Sequence, residues 1–242
     1  MQINHYYHIA NIEKNSWWYM GRRNLLKLLK PKGRNISVLD LGCGTGANLK
    51  PFSGSSLIVG VDNSFDALHF TKKQISNVAL ADLQKPLPFK DNSFDVIICM
   101  DVIEHLPEDK MIFREMERIL KPRGRAIISV PAFQFLWNDM DDLSLHQRRY
   151  KTSSIRKLFR QTSLKIEKLT YWNSTLFIPF SVFVMLRRAF ITRKNRKLKE
   201  ILNRVNPVTN SILYLILLFE NLLIKAGIRM PFGISVLAVA TK

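Results

Sequence analysis

Apolar residues recur at helical spacing at Leu25, Leu28 and Leu29, after the aromatic stretch SWWYMGRR, and Pro31 and Gly33 stop that helix. ISVLDLG then reads as a buried strand and SLIVGVD as a second, with a helical segment after the glycine loop between them. SFDALHFTKKQ predicts a helix, VALADL a short third strand, FDVIICMDV a fourth, EDKMIFREMERIL a helix and RAIISVP a fifth strand. Strands alternating with helical segments of about a dozen residues predict an α/β parallel sheet with helices on both faces.

Beyond Pro131 the rhythm changes. AFQFLWNDMDDLSLHQRRY has no clear period and reads as a loop or lid, while TSSIRKLFRQ opens on residues suited to capping a helix. LKIEKLTYW and GISVLAVATK predict strands six and seven, and the span from Asn173 to Phe232 is too long for a hairpin loop. It carries two apolar stretches, TLFIPFSVFVML, broken by Pro179, and SILYLILLFENLLI, with Glu220 and Asn221 inside it. Neither run has the roughly eighteen uncharged residues of a membrane-spanning helix. Asn206-Pro207 and Gly227 bound the second as a helix of about twenty residues. The expected organisation is a lid helix in 1–34, a main domain in 35–172 and 228–242, and a helical insertion in 173–227.

With 242 residues, 47% of them hydrophobic, the chain can bury a sizeable core. Its net charge of +18 is one-sided: residues 143–242 hold 19 of the 37 Lys/Arg and only 3 of the 19 acids. Such asymmetry implies an anionic partner, either nucleic acid or a membrane face. From Arg187 to Arg204 there are eight cations and one acid between the apolar stretches. That pattern suits an interfacial anchor on an anionic membrane surface, with a self-packed helical subdomain or dimer interface as the rival. Nucleic acid is the poorer fit, because long apolar runs are ill used on phosphate and the aromatics form no stacking platform. Two cysteines, Cys43 and Cys99, favour a reducing compartment, and the first thirty residues lack the apolar core of a signal peptide. A cytoplasmic protein peripheral to the membrane is expected.

The stretch VLDLGCGTGANL fits a dinucleotide fingerprint loosely, so its glycine loop alone decides little. Three acids decide more. Asp40 stands two residues before Gly42, Asp62 ends strand two, where a carboxylate can accept from both ribose hydroxyls, and Asp82 ends strand three. Acid before the glycines suits a cationic ligand better than a pyrophosphate, which needs exposed amides at a helix N-terminus.

VLDLGCGTG, GVDNS, ADLQKPLPFKDNSFDVIICMDVIEHLPED and ILKPRGRAIISVP, in this order over roughly residues 35 to 131, resemble the motifs of class I S-adenosylmethionine-dependent methyltransferases. They are nearest the ubiquinone/menaquinone-biosynthesis, or methyltransferase type 11, branch. The resemblance implies a Rossmann-like seven-stranded, mostly parallel sheet with an antiparallel last strand. It also implies that Asp40, Gly42, Gly44 and Gly46 lie under the methionyl part of S-adenosylmethionine, that Asp62 holds the ribose, and that Asp82 with Leu83 frames the adenine. Cys43, Asn63 and Met100 join the cofactor-binding set on the same ground.

Methyl transfer from a sulfonium is an in-line displacement, so alignment and exclusion of water supply most of the acceleration. A base is needed only where the acceptor loses a proton, and the catalytic candidates are Glu104, His105 and His146, with Asp101 beside them. A hydrogen-bonded structural role suits His105 equally well. Some members of the superfamily carry Glu-x-x-Glu-His here and bind a divalent metal. In this chain Asp101-x-x-Glu104-His105 departs from that pattern at its first position, and His146 would add a nitrogen ligand, a set suited to Mg, Mn or Zn. Arg148 and Arg149 with Tyr150 read either as a clamp on an acceptor anion or as a solvated basic helix start. The expected function is methyl transfer to oxygen of a small membrane-associated or lipid-linked acceptor. An RNA methyltransferase and a non-catalytic cofactor-binding module are the alternatives.

Overall fold

The computed structural model describes residues 3–31, 33, 35–190 and 206–242. Strands β1 (Ser37–Leu41), β2 (Leu57–Asp62), β3 (Asn77–Leu80), β4 (Phe94–Met100), β5 (Leu120–Pro131), β6 (Lys165–Trp172) and β7 (Ser235–Thr241) form one sheet in the order β3-β2-β1-β4-β5-β7-β6. β7 runs antiparallel between β5 and β6, and the other adjacent pairs are parallel. This is the seven-stranded Rossmann-like architecture that the motifs imply.

β1 is buried along its length, since a central strand covered on both faces meets no solvent. Its side chains alternate between two apolar layers. Val38 joins Leu25, Leu26, Ile98 and Leu217 in one, and Leu39 joins Ile97, Phe113, Met116 and Phe159 in the other. The helices around the sheet are α1 (Ile3–Asn15), α2 (Trp17–Leu29), α3 (Phe65–Thr71), α4 (Asp109–Ile119), α5 (Asp139–Leu143), α6 (Thr152–Phe159), α7 (Phe177–Phe190) and α8 (Pro207–Lys225).

Local chemistry moves several boundaries. The helix expected after the glycine loop is a 3-10 turn, Ala47–Phe52, containing Pro51, which has no N–H to extend an α-helical ladder. The N-terminal segment holds two helices rather than one, because α1 carries no clear apolar stripe to announce it. Asp82 lies two residues past β3 rather than at its end. The aperiodic segment after β5 contains α5, started by a capping box in which Asn138 and Asp141 bond each other's backbone N–H groups. By contrast, α6 begins after Lys151 without a side-chain cap, so the expected capping residues lie inside it.

The expected insertion between β6 and β7 contains α7 and α8, and most of the cationic run, from 191 onward, lies outside the described residues. α8 begins as predicted, with the Asn206 side chain accepting the Val208 N–H and Pro207 in its first turn. By length and composition alone it is able to cross a membrane. Its polar pair nevertheless faces the protein. Glu220 accepts the Ser174 N–H at 2.9 Å and bonds Thr175, just ahead of α7, while Asn221 accepts from Trp172 Nε1–H and donates to the Gly21 carbonyl. Gly21 lets the helices meet: a Cβ there would lie 2.2 Å from Leu217 Cδ2.

Candidate functional site

At the carboxyl ends of the parallel strands, where open α/β sheets hold ligands, lies a cleft of about 500 Å³ whose walls include Asp62, Asn63, Asp82, Leu83, Asp101 and His105. Gly42 opens the loop at one side. Its φ of +70° and the 2.4 Å that would separate a Cβ from Val102 Cγ2 leave room for glycine alone. Asp62 braces the loop by accepting the Gly44 N–H through Oδ2 and the Ser64 N–H through Oδ1, both at 2.9 Å. Burial raises its carboxyl, and the amide bonds partly offset this. Each oxygen keeps a second lone pair for a ribose hydroxyl. Asp82 caps its own turn by accepting the Gln84 N–H, and Leu83 and Met100 are buried. Cys43 packs on Thr71, with Sγ 3.6 Å from Oγ1, and burial pushes its thiol up, so it is inert packing behind the loop.

Asp40 separates the candidate cofactors. It is fully buried, and neither carboxylate oxygen has a partner among the described residues. Burial lifts its carboxyl well above the ordinary range, the charge of Asp62 adds to this, and Arg22 opposes it. An unpaired acid of this kind is costly unless a ligand supplies a compensating donor. A methionyl ammonium does so, whereas a pyrophosphate would add repulsion, and the 3-10 turn after the loop presents no long helix N-terminus to bind one. The residues therefore fit S-adenosylmethionine.

The N-terminal helices reach this edge. Thr45 Oγ1–H donates to Glu13 of α1. Arg22 of α2 meets Asp101 Oδ2 at 2.5 Å, with its guanidinium 5.7 Å from the Trp18 ring centre and 5.3 Å from that of Tyr19. Sequence spacing did not reveal Arg22 or Glu13. The only signal was the run of arginines beside aromatics.

Across the cleft, Glu104, His105 and His146 offer ligand atoms that all lie within 4.8 Å of one another. Glu104 is fully buried with both oxygens unpartnered among the described residues, and burial followed by the charge of Asp101 holds its carboxyl well above the usual range. Burial and then His146 lower the His105 imidazole. His146 Nδ1 lies 2.8 Å from Asp141, leaving Nε2 4.0 Å from Glu104. The donor set fits a divalent cation, and the Asp141 contact orients the histidine as ligating imidazoles require.

Two expectations change. Asp101 does not stand in this set: its carboxylate is engaged by Arg22 and by Ser129 Oγ at 3.1 Å. Arg148, Arg149 and Tyr150 form neither an open anion clamp nor a solvated helix start, because acids of the chain itself already hold them. Arg149 binds Asp141 through two bonds of 2.8 and 2.9 Å, and Arg148 and Tyr150 both reach Asp109. Asp141 was missed as a partner of His146, although it stands in the acidic DMDD run five residues earlier.

The methyltransferase-domain family model matches residues 39–128. A demethylmenaquinone methyltransferase of Lactiplantibacillus plantarum is 33% identical over 104 residues, covering 38% of this chain and 44% of that protein. A phosphatidylethanolamine N-methyltransferase of Cereibacter sphaeroides is 26% identical over 102 residues, covering 39% and 50%. The chain spans 38% to 66% of the length of the first curated relatives it matches. The solved structure of an S-adenosylmethionine-dependent methyltransferase from Archaeoglobus fulgidus shares the fold, with a TM-score of 0.63, 17% identity, and coverage of 98% of this chain and 100% of that one. With the ordered motifs, the sheet topology and the buried acid beneath the glycine loop, these likenesses support a class I S-adenosylmethionine-dependent methyltransferase domain, matched by the family model over residues 39–128.

Proposed function

We propose that this protein transfers the methyl group of S-adenosylmethionine to an oxygen atom of a small lipid-linked or membrane-associated acceptor. The outward face of α7 and α8 carries the reading of acceptor class. Ile178, Met185 and Leu186 of α7 and Ile212, Leu215 and Phe219 of α8 are all more than half exposed. The pair follows β6 at the carboxyl edge of the sheet, and the sequence between its helices is rich in Lys and Arg. Apolar side chains beside cations are what an anionic lipid surface binds, at about 1 kcal/mol per basic residue near it. Two relatives bear the names of demethylmenaquinone and phosphatidylethanolamine methyltransferases, both lipid acceptors, which supports the same class.

S-adenosylmethionine supplies an activated methyl carbon open to in-line displacement. Asp40 binds its ammonium, Asp62 orients the ribose, and Asp82 with Leu83 frames the base. Arg22, packed with Trp18 and Tyr19, helps exclude water. His146, with Nδ1 on Asp141, presents Nε2 to take the acceptor proton. With a divalent cation bound, Glu104, His105 and His146 would instead serve as its ligands, and the cation would polarise the acceptor oxygen in place of that base.

Incubation with methyl-labelled S-adenosylmethionine and a membrane extract, followed by separation of lipid, RNA and protein, tests this. Label in the lipid fraction, lost in Asp40→Ala, is expected. Label confined to RNA, with salt-sensitive RNA binding, would instead identify the basic half as a nucleic-acid surface.

A further inference from the structure

We propose that Asn173 forms an acceptor subsite, its carboxamide binding a neutral hydroxyl or carbonyl group on an apolar or aromatic frame; this rests on the methyl-transfer reading above. Among the described residues, buried side-chain nitrogen and oxygen atoms without a hydrogen-bond partner belong to four residues, Arg22, Asp40, Glu104 and Asn173. The first three belong to the cofactor floor, its roof and the Glu104 cluster. Asn173 has both amide atoms unpaired at the carboxyl end of β6, the same edge of the sheet, because β5 and β6 both run antiparallel to β7. Trp172 and Pro131 pair with the same residue, Ser235, so Asn173 follows the level at which β5 gives way to Phe133.

The backbone gives an independent sign. Asp101, Phe133 and Asn173 stand just past β4, β5 and β6, and all three are left-handed, with φ of +56°, +56° and +60°. Neighbours hold Asn173 there. Asn221 fixes Trp172, Glu220 holds the Ser174 N–H, and Gly233 packs so close that a Cβ on it would meet the Trp172 carbonyl oxygen at 2.5 Å. Asparagine tolerates this conformation but glycine adopts it freely, and no partner among the described residues satisfies the amide. A position that keeps an unpaired buried amide where glycine would suit the backbone as well is one where ligand binding accounts for the residue better than folding does.

The surroundings indicate the ligand. A carboxamide offers donors and an acceptor together, which suits a neutral group better than an ion. Aromatic residues flank it along the chain and in pairing: Phe133 stacks on Tyr171 at 4.7 Å, Phe177 on Phe232 at 5.0 Å, and Ser174 Oγ bonds the Phe232 carbonyl. Asn173 is only 1% exposed, so the acceptor must displace neighbouring side chains to reach it.

The test compares Asn173→Gly and Asn173→Asp with the wild type. Glycine relieves the backbone and removes the unpaired amide, and aspartate keeps the shape but not the donors. For the glycine variant the expected result is a melting temperature equal to or above wild type, S-adenosylhomocysteine affinity within twofold by calorimetry, and at least a tenfold fall in label transferred to the lipid fraction of a membrane extract. The aspartate variant is expected to retain affinity and lose transfer similarly. Wild-type transfer by Asn173→Gly overturns the subsite, as does loss of melting temperature and cofactor affinity in step in both variants. No label from the wild type in any fraction overturns the methyl-transfer reading itself, and the subsite with it.

Discussion

Arg22 and Asp101 meet at 2.5 Å, and through this largely buried pair α2 is tied to the residue that follows β4. Removing one partner leaves the other charge poorly solvated beside Asp40 and Ser129. Arg22→Ala is therefore expected to cost about 3 kcal/mol in urea unfolding, and the double variant with Asp101→Ala clearly less than the sum of the singles. Additive losses would show that the pair is not coupled.

Asp40 links cofactor binding to pH. Its folded carboxyl lies above the unfolded value of about 3.9, so the folded chain holds this proton more tightly than the unfolded chain does. Raising pH through that window costs the wild type stability that Asp40→Asn keeps. The melting-temperature advantage of Asp40→Asn is thus expected to grow from about pH 4 upward and then level off. S-adenosylhomocysteine, which carries the same ammonium, should release a proton from the wild type on binding, measurable by calorimetry in buffers of different ionisation enthalpy. A pH-independent advantage would contradict the buried, unpaired state.

The Glu104 cluster separates metal from base. An ion held by Glu104, His105 and His146 is expected to raise the melting temperature, by about 2.7 kcal/mol of stability at a hundred times Kd, and His146→Ala should abolish the rise. Titration with Mn²⁺ and Zn²⁺ measures it. No shift with either ion would leave His146 as a base alone.

The outward face of α7 and α8 is open to a direct assay. The wild type is expected to float with vesicles containing anionic lipid and to be released at high salt, while Ile212→Glu with Phe219→Glu should stay in the soluble fraction with S-adenosylhomocysteine affinity unchanged. Sedimentation showing a dimer that these changes dissociate, without flotation, would assign the face to a second copy of the chain.

The strand alternation and the glycine loop were legible in the sequence because both obey local rules: period, burial and φ. Gly42, Asp40 and Asp62 stand where the motif order puts them. What sequence could not show were contacts made by distant segments. Arg22 reaches Asp101 from 79 positions away, and even the local pair of Arg149 and Asp141 is hidden, because the short α5 that carries Asp141 has no readable period. Asp101 carries the right chemistry for a metal, but an arginine from α2 reaches it, and spacing gives no hint of that. Asn173 was visible only as the start of the insertion, since neither its φ nor its missing partners leave a trace in composition.

Calorimetry of the purified chain with S-adenosylhomocysteine and, separately, NADH tests the central assignment most directly. Binding of the sulfur nucleoside, weakened about tenfold or more by Asp62→Ala through loss of hydrogen bonds to a charged group, and no heat with NADH is the predicted result. Uptake of NADH with no response to S-adenosylhomocysteine would contradict it.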